Sequence, residues 1–281
     1  MKAKPTIQIL PDADQLARFA ARLFLLRFVH TLTIQVQFTF ALSGGSTPKK
    51  MFEILGNDER LKKKVKYGVE FELLEYVHFF WADERPVPPD HAESNYKLAY
   101  DSMLSPLGVR EANIHRIKGE LEDAGEAARQ YEAEILRDFP SSEGQLPKFD
   151  LIFLGMGSDG HTASLFPGTK ALQEENRLVV SNWVGKFYTE RITMTAPLLN
   201  NAACVVFLVS GQDKALPLKA VLEGRYEPQQ LPAQLVRPES GKLTWLLDSA
   251  AASLLGAESQ ALVDNEDLQS TLLDSSSDLI S

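Results

Sequence analysis

The chain has 281 residues, 44% hydrophobic content and a formal net charge of −9, which is enough for one large α/β domain or two small ones. Its most apolar stretch, residues 19–42, is broken by Arg22, Arg27, His30 and Gln35, so it is no membrane span, and the first ten residues lack the pattern of a secretory signal. The single cysteine, Cys204, lies in an apolar run; this excludes a disulfide framework, reads as a buried small hydrophobe, and fits a reducing, cytoplasmic setting.

Residues 6–10 suit a short strand. Asp12, with Gln15 three residues later, reads as a helix N-cap pair. Leu16, Phe19, Ala20, Leu23 and Phe24 follow at helical spacing, with Arg18, Arg22 and Arg27 turned outward. Residues 34–42 alternate Val36, Phe38, Phe40 and Leu42 against Gln35, Gln37 and Thr39, which predicts a strand over the whole stretch.

Ser43-Gly44-Gly45-Ser46-Thr47-Pro48 comes next, and a helical pattern follows it. A strand, a glycine turn and a helix start make an anion site, because the helix N-terminus offers unpaired N–H groups and partial positive charge. Pro48 suits the first turn, and Ser43, Ser46 and Thr47 add hydroxyls. The Walker pattern is absent. An ordinary capped turn is the plain alternative; phosphate binding is preferred.

Residues 76–81 read as a third apolar strand, with His78 as a core residue. Asp83, Glu84 and Arg85 stand directly beyond it, at the edge where open α/β sheets bind ligands. Arg85 can grip a phosphate through two N–H groups, although a surface salt-bridge group would look the same. Residues 90–96 resemble a helix start, with the helix running to Met103 and His91 as a cap or surface residue. Residues 120–139 form a charged helix with Ala127, Ala128, Tyr131 and Ile135 along one face, and residues 141–147 a polar loop.

The centre of the chain reads F-D-L-I-F-L-G-M-G-S-D-G-H-T-A-S-L-F-P over residues 149–167. Residues 151–154 suit a strand buried on both faces. Gly155, Gly157 and Gly160 then turn the chain, and Asp159 and His161 sit in that turn. A histidine at a sheet's carboxyl edge can move protons near neutral pH. Residues 155–160 also match G-x-G-x-x-G, but Pro167 interrupts the following segment and no strand-end acid lies about 20 residues on. The dinucleotide reading is therefore set aside.

Strands are expected around Val179 and Val180, over residues 191–196, over 203–209 and over 243–247. Lys214 falls in the first turn of a helix reaching about Glu223, where a cation opposes the helix dipole and suggests an anionic partner, with a solvated surface lysine as the plain alternative. Asp248 is read as the cap of a short Ala-rich helix. Residues 257–281 hold six acids and no base, so the tail carries six of the nine net charges. Its composition predicts disorder; the apolar pairs at 262–263, 272–273 and 279–280 leave transient docking as the alternative. The body is near neutral, which argues against a nucleic-acid partner.

Four blocks in order, residues 42–48, residues 83–88 with 92–96, residues 155–167 and Lys214, resemble the 6-phosphogluconolactonases, across residues 6–255. The resemblance implies a doubly wound, mainly parallel α/β sheet with helices on both faces, shared with glucosamine-6-phosphate isomerases (a NagB/Rossmann-like fold). It covers a single domain over residues 1–255; the acidic tail from 256 to 281 and the Phe-rich stretch over residues 23–40 depart from the family's common pattern. It also implies hydrolysis of 6-phospho-D-glucono-1,5-lactone in the oxidative pentose phosphate pathway, with neither metal nor organic cofactor. The isomerases carry a Glu just before the loop's proline, where this chain has Phe166. Phenylalanine cannot shuttle protons, and this departure favours the lactonase.

On this reading His161 is the general base and then the proton donor, and Asp159 biases its imidazole. Backbone N–H groups of residues 157–160 are candidate oxyanion donors. Ser43, Gly44, Gly45, Ser46, Thr47, Asp83, Arg85, Gly157, Gly160 and Lys214 make up the substrate site, and by resemblance Arg191 lines the pocket too. No serine-hydrolase elbow is present. The partner is a small phosphosugar lactone, and the chain is expected to act as a monomer or weak homo-oligomer. The alternatives are a glucosamine-6-phosphate isomerase/deaminase and a non-catalytic phosphosugar-binding protein.

Overall fold

The computed structural model describes residues 5–62, 65–66, 69–70, 73–139 and 145–260. In chain order the first elements are β1 (Thr6–Leu10), α1 (Ala13–Leu32), β2 (Phe38–Leu42), α2 (Ser46–Gly56) and α3 (Glu59–Lys62). A small hairpin of β3 (Val65–Lys66) and β4 (Val69–Glu70) leads to β5 (Val77–Trp81) and β6 (Asp83–Glu84). Then come α4 (Asn95–Ala99), α5 (Ser105–Leu107), β7 (Ile114–His115), α6 (Ala124–Asp138) and β8 (Leu151–Gly155). The last third holds β9 (Val179–Val184), β10 (Thr189–Met194), α7 (Ala196–Asn200), β11 (Cys204–Val209), α8 (Ala215–Glu223), β12 (Lys242–Asp248) and α9 (Ala257–Gln260).

Seven strands form one sheet in the order β1-β12-β11-β8-β2-β5-β7, and every neighbouring pair is parallel. This is the doubly wound α/β architecture expected. The central strands are buried along their length, so they read as continuous apolar runs. Alternation sorts their side chains onto two faces. Phe38 and Phe40 meet Phe24 of α1 at 5.7 and 4.9 Å between ring centroids, and Phe40 meets Phe79 and Phe153. Phe80 points the other way, to Phe139 just beyond α6 and to Phe149. Truncating one such buried Phe to Ala costs about 3–5 kcal/mol.

Several local expectations shift. The strand predicted over residues 34–42 begins only at Phe38; α1 runs to Leu32, and Ile34 and Val36 are exposed. The amides of Thr33, Ile34 and Gln35 close the helix end on the carbonyls of His30 and Thr31, so the alternation there belongs to a turn. The helix predicted from residue 120 begins at Ala124, because Asp123 accepts the Gly125 amide at 2.8 Å as its cap. The helix predicted to reach Met103 is α4 continued by a π turn over Tyr100–Leu104, ahead of Pro106. Asp248 caps a turn rather than a helix, accepting the Ala251 amide at 2.7 Å.

His78 is half-buried in β5 and its Nδ1 lies 2.9 Å from Nε2 of His115. Cys204 is buried in β11. Beside the main sheet stands a second one, β6-β10-β9, antiparallel throughout, which the sequence reading did not anticipate. Among the described residues no helix is long and apolar enough to cross a membrane. Most of the predicted acidic tail, from residue 261, and the first part of the predicted polar loop, residues 141–144, lie outside the described residues.

Candidate active site

Parallel pairing of β11, β8, β2 and β5 places the loops that follow these strands along one carboxyl edge. There they enclose a cavity of about 260 Å³ lined by residues 43–48, Asp83, Arg85, Asn95, Met156, Gly157, His161, Ala163, Ser210 and Lys214, among others. The two blocks singled out in the sequence, the glycine turn before α2 and the glycine turn after β8, therefore face one space.

The turn before α2 is shaped by close approach. A Cβ on Gly44 would lie 1.8 Å from Asn95 Oδ1, so only glycine fits. Gly45 is the N-cap of α2 and gives no side-chain cap. Among the described residues no side chain is seen to accept the first-turn amides of the helix, which is the condition for anion binding. Ser43 Oγ and Asn95 Oδ1 are both buried without a hydrogen-bond partner among the described residues.

Beyond β5 the three charges separate by role. Glu84 is 2% exposed and accepts the amides of Arg85, Asn95 and Tyr96 and the Ser94 hydroxyl. Burial raises its carboxyl above the usual value, although these amide bonds act against the rise. It is scaffold for the start of α4. Asp83 accepts the Ser164 hydroxyl at 2.7 Å and its carbonyl accepts the Asn95 side-chain amide at 2.9 Å. Arg85 bonds the Glu93 carbonyl through Nη1. Arg191, on β10, is not part of the cavity wall. Burial first, and then the charge of Arg85, push its guanidinium below the usual value. Two cations held within reach of each other favour an anion nearby.

The β8 loop is folded tightly on itself. The Gly157 amide donates to the His161 carbonyl at 2.9 Å, and the Gly160 amide to the Gly157 carbonyl at 3.0 Å. These two amides are spent inside the loop, so of the expected oxyanion donors only those of Ser158 and Asp159 lack a backbone acceptor of this kind. Gly160 packs against Leu231 instead of lining the cavity. Gly157 leaves room for the imidazole: a Cβ there would lie 2.0 Å from His161 Nδ1.

His161 hydrogen-bonds Asp159 Oδ1 through Nδ1. Its ring stacks on Phe166 at 4.1 Å between centroids. With Nδ1 engaged, Nε2 is the nitrogen left for chemistry. Lys186 holds the second carboxylate oxygen of Asp159 at 3.0 Å. Partial burial works to raise the Asp159 carboxyl, but the His161 hydrogen bond and charge, with Lys186, outweigh it and hold the group well below the usual carboxylate range.

Lys214 ends a 3-10 turn directly before α8, lines the cavity, and pairs with Asp213 at 3.0 Å. Three contributors carried no assigned role in the sequence reading. Asn95 and Ser164 stood inside motifs already quoted, whereas Lys186 lies 27 residues from Asp159 with no local signal. No helix opens at Gly160, as the dinucleotide pattern would require; the chain makes turns and an isolated Thr162–Leu165 bridge. Among the described residues, the grouping of His, Asp and Glu side chains close enough to share a metal ion is His115, Glu134 and Asp138. It lies where α6 meets β7, away from this cavity.

A family model described as glucosamine-6-phosphate isomerases/6-phosphogluconolactonase matches residues 11–245. The 6-phosphogluconolactonase of Synechocystis sp. is 38% identical over 252 residues, covering 89% of this chain and 98% of that protein. The human 6-phosphogluconolactonase is 38% identical over 251 residues, covering 89% and 93%. Among solved structures, the 6-phosphogluconolactonase from Trypanosoma cruzi superposes with a TM-score of 0.78 at 29% identity, over 92% of this chain and 99% of that one.

Proposed function

The chain belongs to the glucosamine-6-phosphate isomerase/6-phosphogluconolactonase family, and from that premise we propose that it hydrolyses 6-phospho-D-glucono-1,5-lactone to 6-phospho-D-gluconate, in the oxidative branch of the pentose phosphate pathway and in the cytoplasm. The observation that carries this reading is a single cavity shared by His161 and by an anion-binding wall of the α2 N-terminus, Arg85 and Lys214. The substrate's two ends need those two features.

In this mechanism the 6-phosphate rests on the first-turn amides of α2, the hydroxyls of Ser43, Ser46 and Thr47, and the charges of Arg85 and Lys214. The sugar hydroxyls face Asp83 and Asn95. The phosphate grip orients C1 beside the imidazole, so remote binding energy is used for positioning. Nε2 of His161 takes a proton from water as the water oxygen bonds to C1. The resulting oxyanion is met by loop amides of Ser158 and Asp159. The intermediate collapses with cleavage of the bond between C1 and the ring oxygen, and Nε2 returns the proton to that oxygen. Asp159 keeps Nδ1 engaged and steadies the transient imidazolium.

Phe166, packed flat on His161, occupies the place where the isomerases have a glutamate, so the group that an aldose–ketose shuttle would need is missing. The deciding experiment is turnover of freshly generated lactone. His161→Ala is expected to lower kcat/KM by about 10²–10⁴-fold while 6-phosphogluconate still binds. Ammonia release from glucosamine-6-phosphate, or binding without any turnover, would overturn the assignment.

A further inference from the structure

The tip of the β9–β10 hairpin touches the catalytic loop twice. Lys186 donates to Asp159 Oδ2 at 3.0 Å, while Oδ1 of the same carboxylate holds His161 Nδ1. The next residue, Phe187, sets its ring edge-on to Phe166 at 5.6 Å, and Phe166 is the ring stacked on His161. The imidazole is thus braced by one ionic and one aromatic contact, both from a segment that contributes nothing to the cavity wall.

We propose that Lys186 is a positioning residue for the reaction: it fixes the carboxylate that orients His161 and offsets part of that carboxylate's field at the ring. The inference rests on the lactonase reading of the site. Its logic is electrostatic. Asp159 alone beside the ring favours imidazolium; a cation on the far oxygen offsets part of that field. Among the described residues, the other charged side chains lining the cavity with His161 are Asp83, Arg85 and Lys214, and Arg191 stands nearby over the Phe187 ring at 5.6 Å. Of these cations, Lys186 is the one bonded to Asp159. Its side chain is 58% exposed, so solvent screens it and the effect is modest.

The test is Lys186→Met, with Lys186→Arg as the conservative variant. In Lys186→Met the acidic limb of the kcat/KM–pH profile is expected to move upward by about half a unit, a loss of about threefold on that limb, with KM nearly unchanged; Lys186→Arg should restore the wild-type profile. A second readout needs no turnover. The His161 ring proton, assigned by its loss in His161→Gln, should titrate at higher pH in substrate-free Lys186→Met than in wild type. If the midpoint and the limb both stay in place, or if only thermal stability falls, the proposal is overturned. Failure of wild-type protein to open the lactone would count against the function reading instead, and the ring titration would then decide the role of Lys186.

Discussion

Ser43 carries a hydroxyl that is buried at the cavity wall with nothing among the described residues to bond. A buried polar atom without a partner lowers stability, so its presence is better explained by a ligand than by the fold. Ser43→Ala is expected to leave the thermal midpoint unchanged or slightly raised while KM for the phosphorylated lactone increases several-fold; calorimetry beside steady-state kinetics checks both halves. Asp159 gives a second residue-scale expectation. Its carboxyl is held well below the usual carboxylate range in the folded protein. An acid of this kind contributes stability that is fully present above the unfolded value and is lost as pH falls towards the folded one. The stability gap between wild type and Asp159→Asn should therefore be widest near neutral pH and narrow below about pH 4, as read from urea midpoints across that range. At this scale the sequence was informative wherever a residue type is rare in its context. A histidine and an aspartate in a glycine turn announce themselves. Lys186 does not, because a lysine at a hairpin tip looks like any solvated lysine until the hairpin is seen to reach Asp159.

The elements divide along a similar line. Strands β5, β8 and β11 were legible because a strand buried on both faces must be a continuous apolar run, and the loops after them follow from that; β2 was found through its alternation, which set its start four residues before Phe38. The β6-β10-β9 sheet was not legible. Its pairing of Asp83 with Thr193 joins segments far apart in the chain, and nothing local encodes such a partner. Glu84 was grouped with Asp83 and Arg85 as charge at the ligand edge, yet it binds the backbone at the start of α4. Replacing it tests the distinction. Glu84→Ala leaves those amides and the Ser94 hydroxyl without their acceptor and is expected to destabilise the fold by about 3 kcal/mol, with any loss of activity tracking the loss of folded protein. Gly44→Ala should differ in kind: the collision with Asn95 displaces the α2 turn, and phosphate binding should fall well before the protein unfolds.

For the molecule as a whole, the order of strands could not be read from the chain, since it depends on which apolar runs meet across long separations. What could be read was the consequence of parallel pairing, that loops after the strands share an edge. Ligand linkage offers a global check. At 100 times its Kd, a ligand that binds only the native state adds about 2.7 kcal/mol. For a chain of this size 6-phosphogluconate should therefore raise the thermal midpoint by about 5 °C, and Arg85→Ala should reduce that rise. The described fold ends with Ser259 bonded to Glu223 at 2.6 Å. A chain ending at Gln260 is expected to keep its melting point and its kcat/KM, whereas one ending before Ser259 should melt lower.

One edge strand of the sheet, β1, is the first of its strands to be made. β1 pairs with β12, Thr6 opposite Thr244, so a ribosome working at about 5–20 residues per second finishes the partner some 12–50 s after β1 has emerged. For that interval the nascent chain displays β1 and the apolar stripe of α1, Leu16, Ala20 and Phe24, with no completed sheet to receive them. Recovery of active protein from cells should accordingly depend on holdase chaperones during synthesis, far more than refolding of the purified full-length chain does in dilute solution.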